Sequence, residues 1–247
     1  MARHSHWAQI KLKKGALDKK RGKIFTKHAH LIEVAVRKAG GDPNMNASLR
    51  LAMENAHADN MPRENIDRAI KKGAGELKGE EMQEITYEGF GPGGAALVID
   101  TLTDNKNRTS QMVRNTLQKH GGNLGAVGST SFLFEVKGMM TVKPKGEHDS
   151  DELEMIDAGA QDIVEGGEDF VVYTAANELM DVKKKLEAKG FTVVSSELVK
   201  EPRSLVEISD PAVAKKLLAL TEALDEENDV SSVAANYDIS EEVMRQL

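Results

Sequence analysis

Lys11, Lys13, Lys14, Lys19, Lys20, Arg21, Lys23 and Lys27 fall within 17 positions and share them with one acid, Asp18. Ammonium and guanidinium groups at this density neutralise phosphates along a nucleic-acid backbone. Arg3, His4 and Ser5 extend the set of donors toward the N-terminus. Trp7, the only tryptophan, either stacks on an unpaired base or fills a core. The competing account of the cations is a solubilising helix face. Such faces interleave both signs, and this run is one-signed.

A second candidate is the stretch Asp104–Thr109. Asn105, Lys106 and Arg108 stand at the start of a predicted helix, whose free N–H groups and dipole attract anions. They are read as an anion or RNA contact, against the alternative of an Asn107 cap with solvated neighbours. Gly91-Pro92-Gly93-Gly94 matches neither a dinucleotide fingerprint nor a phosphate loop, and it joins two predicted strands, so it reads as a hairpin turn. The acidic run Asp149–Asp169 contains no calcium-loop pattern and reads as a solvated face. His28 lies on an apolar helical stripe, which predicts core packing, and His30 faces elsewhere. His4 and His6 lack a third ligand. Cysteine is absent, and no Ser/His/Asp or lysine constellation stands out. The expectation is a chain with no catalytic residues, no metal site and no cofactor, and so not an enzyme.

Charge is segregated along the chain. Residues 1–38 hold 11 Lys/Arg and 2 Asp/Glu, a net of +9, and residues 39–78 are neutral with 6 of each. The remainder carries 16 Lys/Arg and 32 Asp/Glu, a net of −16. A cationic end recruits phosphates and an acidic body stays off them. No apolar run approaches the roughly 20 residues that span a bilayer, and the N-terminus lacks the apolar core of a signal peptide. With no cysteine, these features predict a cytoplasmic protein with no membrane partner.

Three helices must position the cations. One runs from about Leu17 to Ala39 and stops at Gly40-Gly41; a second carries Leu49, Ala52, Met53 and Ala56. A third follows Asn60-Met61-Pro62 and ends at Gly73. From Ile85 the period becomes strand-like. Strands are expected at Ile85–Phe90, Ala95–Thr103 and Ser129–Phe134, with a helix over Asn107–His120. Residues 139–199 then spell strand, helix (Asp151–Gln161), two strands, helix and strand, the βαββαβ order of a ferredoxin-like unit. Leu205–Ser209 and Val230–Tyr237 are expected to complete the sheet begun at Ile85. The fold class is therefore α+β: an N-terminal three-helix domain and two α/β domains, one ferredoxin-like and inserted into the other. The expected boundaries are 1–78 for the basic helical domain, 79–136 plus 203–247 for the discontinuous one, and 137–202 for the insert.

Several motifs occur in order along nearly the whole chain. They include His4-Ser5-His6-Trp7, Lys20-Arg21-Gly22-Lys23-Ile24-Phe25-Thr26-Lys27, Asn60-Met61-Pro62 and Arg68-Ala69-Ile70-Lys71-Lys72-Gly73. Further on stand Tyr87–Gly94, Thr103–Thr109 and His120-Gly121-Gly122-Asn123-Leu124-Gly125. Together they resemble the YebC/PmpR family of "probable transcriptional regulatory proteins", whose mitochondrial relative is the translational activator of cytochrome oxidase. The resemblance implies a three-domain fold with a helical N-terminal domain. It implies DNA binding and transcriptional regulation for some members, and action on stalled ribosomes for others. Arg3 and His6 depart from the family's usual Gly and Lys, which moves one cationic contact from position 6 to position 3. His28-Ala29-His30 replaces a Leu-Ile-Arg-like run and removes an arginine near position 30.

The expected function is a non-enzymatic, nucleic-acid-binding regulator of gene expression, with duplex DNA favoured by the resemblance. The alternative is a ribosome-associated factor binding ribosomal or transfer RNA. A remote one is an enzyme with its cleft near the Gly-rich hairpin. Sequence preference and oligomeric state are left open.

Overall fold

The computed structural model describes residues 21–77 and 81–245. They form two compact units: one is Phe134–Leu205, and the other joins residues 21–133 to 206–245. No helix among the described residues is long and apolar enough to cross a membrane.

Three helices open the larger unit: α1 (Arg21–Ala39), α2 (Ala47–Ala58) and α3 (Arg63–Gly73). Ile32, Ala35 and Val36 of α1 recur at helical spacing and pack with Leu49, Ala52 and Ala56 of α2 and Ile66 and Ala69 of α3. Gly40 takes φ +86, and its N–H donates to the Val36 carbonyl at 2.7 Å, so α1 stops where a side chain would be strained. Asn46 joins the first two helices. Its Oδ1 accepts from the Leu49 N–H at 3.0 Å, and its Nδ2 donates to the Ala35 and Gly40 carbonyls, both at 2.8 Å. One buried amide thus caps the start of α2 and the end of α1.

The same unit continues with β1 (Gln83–Phe90), a 3-10 turn at Pro92–Gly94, β2 (Ala96–Thr103), α4 (Lys106–Lys119) and β3 (Asn123–Leu124). β1 and β2 pair antiparallel with Tyr87 opposite Ile99. Pro92 and the left-handed Gly93 and Gly94 form the connection between them.

The strand expected at Ser129–Phe134 is absent. Ser131–Leu133 is a 3-10 turn, and Phe134 opens β4 (Phe134–Lys143). The buried Glu88 carboxylate explains the difference. It accepts from the N–H groups of Gly128 (2.6 Å), Thr130 (2.6 Å) and Ser131 (2.8 Å), taking the donors a ladder needs.

The smaller unit runs β4, α5 (His148–Ala158), β5 (Asp162–Glu165), β6 (Phe170–Ala175), α6 (Leu179–Ala188) and β7 (Thr192–Pro202). Its strand order is β5-β6-β4-β7 with every neighbour antiparallel, which is the ferredoxin-like arrangement. Helix α5 lies about three residues earlier than its expected Asp151–Gln161. Gly159 at φ +115 ends it, and Asp151, 1% exposed, accepts from the Lys145 and Gly146 N–H groups at 2.8 and 3.0 Å. One member of the acidic run expected to be solvated is therefore a buried loop anchor.

The larger unit resumes with β8 (Val206–Ile208), α7 (Pro211–Asp225), β9 (Val230–Ala235), β10 (Tyr237–Ile239) and α8 (Glu241–Met244). β9 extends the main sheet to β3-β1-β2-β9, whereas β8 and β10 pair parallel in a sheet of their own. The expectation that both late strands join the first sheet is corrected by Asn236. Its N–H donates to the Ala96 carbonyl and its Oδ1 accepts from the Ala96 N–H, while its carbonyl accepts from Val206. The chain leaves one sheet and enters the other at that residue.

Candidate nucleic-acid interface

Helices α1 and α3 lie side by side because Gly73 lets them. A Cβ there would stand 2.7 Å from the Glu33 carbonyl and 2.8 Å from the Val36 Cβ. Lys72 Nζ bridges the pair to Glu33 Oε2 at 3.0 Å, with the carboxylate 5% exposed. Between the helices runs a groove of about 480 Å³. Phe25, Ala29, Met61 and Ala69 supply its apolar surface, and Thr26, His30, Asn65 and Arg68 its polar groups. The spacing follows from the helical period: 25, 26, 29 and 30 share one side of α1, and 65, 68, 69 and 72 one side of α3.

The polar groups differ in how far they are already used. Thr26 Oγ1 donates to the Gly22 carbonyl at 2.9 Å. The Asn65 carboxamide is half-buried and the Arg68 guanidinium is exposed; neither has a side-chain hydrogen bond or ion pair with a described residue. His30 is half-buried. Burial pushes its pKa below the ordinary histidine value, outweighing the upward pull of Glu33. Its imidazole is therefore neutral near pH 7, with one nitrogen donating and the other accepting.

His30 and Lys72 also line a smaller cleft of about 190 Å³, with Met82, Asp104, Arg108 and Asp229. Here the second sequence candidate separates into its parts. Asn105 is the helix cap, its side chain accepting from the Arg108 N–H at 3.1 Å, which is the role assigned to Asn107 in the competing account. Arg108 is held by Asp104 at 2.8 Å and Asp229 at 2.9 Å, and those hydrogen bonds raise its pKa further. Lys106 is exposed and forms no ion pair with a described residue.

Of the first candidate, Arg3, His4, Ser5, Trp7, Lys11, Lys13, Lys14 and Lys20 lie outside the described residues. Arg21 begins α1, and Lys23 and Lys27 stand one turn apart on it, both half-buried. His28 is buried, as its stripe predicts, with Nε2 2.6 Å from Asp59 Oδ2. The groove itself was missed by sequence reasoning. Its signals were the polar residues 65, 68 and 72 at helical spacing, beside an apolar stripe that already accounted for the core.

Mixed α+β architecture with a helical N-terminal part is shared with a solved structure, "Crystal Structure of a Conserved Hypothetical Protein Aq1575 from Aquifex Aeolicus". The TM-score is 0.89 and the identity 46%, over 96% of this chain and 98% of that one. Residues 5–76 match the TACO1/YebC protein N-terminal domain, and residues 82–237 match the TACO1/YebC second and third domain. The chain belongs to the TACO1/YebC family. Among its relatives, a "Probable transcriptional regulatory protein" of Aquifex aeolicus is 47% identical over 248 residues, covering 100% of both chains. Another of that name, from Persephonella marina, is 46% identical over 250 residues, again with 100% of both covered.

Proposed function

We propose that this protein is a non-enzymatic, cytoplasmic regulator of gene expression that binds nucleic acid through its N-terminal helical domain, with duplex DNA as the target. The observation that carries the reading is the charge segregation, +9 over residues 1–38 against −16 over residues 79–247. The names of the relatives support a regulatory role in transcription. Lys20, Arg21, Lys23 and Lys27, with Arg3 and Lys11 to Lys14, neutralise backbone phosphates. Lys106 and Arg68 extend that field, since neither charge is paired with a described residue. In this reading residues 1–78 bind, and the discontinuous domain (79–136 with 203–247) and its insert (137–202) form the acidic body.

Neutralising Lys20, Arg21 and Lys23 together tests it. Binding weakens for every nucleic acid while thermal stability stays nearly constant. For about five phosphate contacts, log affinity falls against log salt with a slope of roughly −4 to −5 on duplex DNA. Unchanged binding with an unchanged slope moves the site elsewhere.

A second reading rests on the composition of the arm. It is dominated by lysine, a point charge that discriminates bases poorly, and it carries Trp7 beside the cations. That combination suits ribosomal or transfer RNA, where irregular backbones and unstacked bases are displayed. Competition among a promoter duplex, a random duplex and ribosomal RNA at one salt concentration separates the two.

A further inference from the structure

We infer that the groove between α1 and α3 seats an unpaired nucleobase, with Asn65 reading its hydrogen-bonding edge and Arg68 holding the adjoining phosphate. The inference rests on the nucleic-acid reading above and adds to its backbone contacts one that only an unpaired base can make.

The chemistry of the groove selects this occupant. Its volume, about 480 Å³, falls within the range of small-ligand sites, roughly 300–1,000 Å³. Phe25, half-buried against the helical core, offers flat apolar surface of the kind on which bases of any identity stack, and the buried Met61 backs the floor beneath it. A base also needs donors and acceptors in its own plane. Asn65 supplies both from one amide, and it has no side-chain hydrogen bond to a described residue. His30, neutral near pH 7, supplies another donor and acceptor deeper along α1. Carboxamides are the side chains that pair with adenine through two bonds.

Electrostatics agree with that choice. Glu33, the one acid among the described residues that line the groove, is neutralised by Lys72 at 3.0 Å. Arg68 stands exposed on the same side of α3 as Asn65, one turn away, with no ion pair to a described residue. A nucleotide whose base enters the groove therefore meets a cation at its phosphate. A base locked in a duplex cannot enter, so the contact applies to single strands, loops or extruded bases.

The test uses the full-length chain and fluorescence anisotropy at one salt concentration. The probes are a short single strand, the same strand with tetrahydrofuran abasic sites, and a random duplex. The wild type binds the intact strand about tenfold more tightly than the abasic one, the magnitude of one stacked and paired base. Asn65→Ala, a half-exposed position where alanine favours the helix, reduces that ratio about fivefold and leaves duplex binding unchanged. Arg68→Gln weakens all three probes alike. Equal affinity of the wild type for intact and abasic strands overturns the inference and leaves duplex binding standing. So does an undiminished ratio in Asn65→Ala, and either result fits a groove filled by protein instead. Failure to bind any probe overturns the nucleic-acid reading itself.

Discussion

Arg108 and Asp229 lie 121 residues apart in the chain, yet Arg108 Nη2 stands 2.9 Å from one oxygen of Asp229 and 3.1 Å from the other. Arg108 Nε reaches the first oxygen as well, at 3.3 Å, and Thr109 Oγ1 donates to it at 2.6 Å. Asp229 thereby ties the start of α4 to the segment that leads into β9. An arginine that looked from the sequence like a free cation at a helix N-terminus is engaged by two carboxylates.

Asymmetric losses are expected from this pair. Asp229→Ala removes the acceptor shared by the hydroxyls of Thr109 and Thr103 and leaves the guanidinium with Asp104 alone, for a loss of about 1–3 kcal/mol. Arg108→Ala costs less, about 1 kcal/mol or below, because the guanidinium is 53% exposed and water screens it. Urea unfolding of both single variants and the double variant measures each loss and their coupling. Equal costs would show that the hydroxyl contacts contribute nothing.

Glu88 makes stability depend on acid. Burial pushes its carboxyl up, but the N–H groups of Thr130, Gly128 and Ser131 together pull harder and bring it from 4.5 to about 2. The charged form is therefore favoured in the folded state, and its stabilisation is complete above pH 4.5. It is lost as pH falls through that value toward 2. Glu88→Gln is expected to cost on the order of 3 kcal/mol at pH 7. It also flattens the acid limb between pH 4.5 and 2. Thermal melts across that range of pH follow both effects.

His30 acts in a neighbouring range with the same sign. Its pKa is lowered chiefly by burial, so below its ordinary value of 6.5 the unfolded chain binds protons the folded one resists. Stability then declines as pH drops below 6.5, and His30→Gln removes that part of the decline. Chemical denaturation of the two proteins from pH 7.5 to 5 compares the slopes. A parallel pair of curves contradicts the assignment.

Gly73 sets the spacing of the groove. Added carbon at Gly73 meets the Glu33 carbonyl at 2.7 Å, and backbone cannot turn aside as a flexible side chain can. Gly73→Ala is expected to cost about 1–3 kcal/mol by overpacking, against the usual gain of alanine in a helix. The same shift widens the α1–α3 groove. Any base-dependent binding is therefore expected to weaken in a variant that still melts cooperatively.

Much of the helical domain was legible from local sequence. Apolar residues at helical spacing, Gly40 as a stop and Pro62 before a third helix mark α1 to α3, because helices form from neighbours three and four apart. The βαββαβ order of the smaller unit was legible for a similar reason, since alternation and turn residues punctuate each element. The turn at Ser131–Leu133, the separation of β8 from β9 and the pairing of Arg108 were not. Each is decided by a polar side chain meeting partners far along the chain: Glu88 with the N–H groups of Gly128, Thr130 and Ser131, Asn236 with Ala96, Asp229 with Arg108. No local pattern announces such a meeting, because a carboxylate or amide reads as solvated until folding removes its water and a specific donor replaces it. The charge segregation belonged to the sequence alone. The groove beside it belonged to tertiary structure, since its two walls come from helices separated by α2 and held together at Gly73.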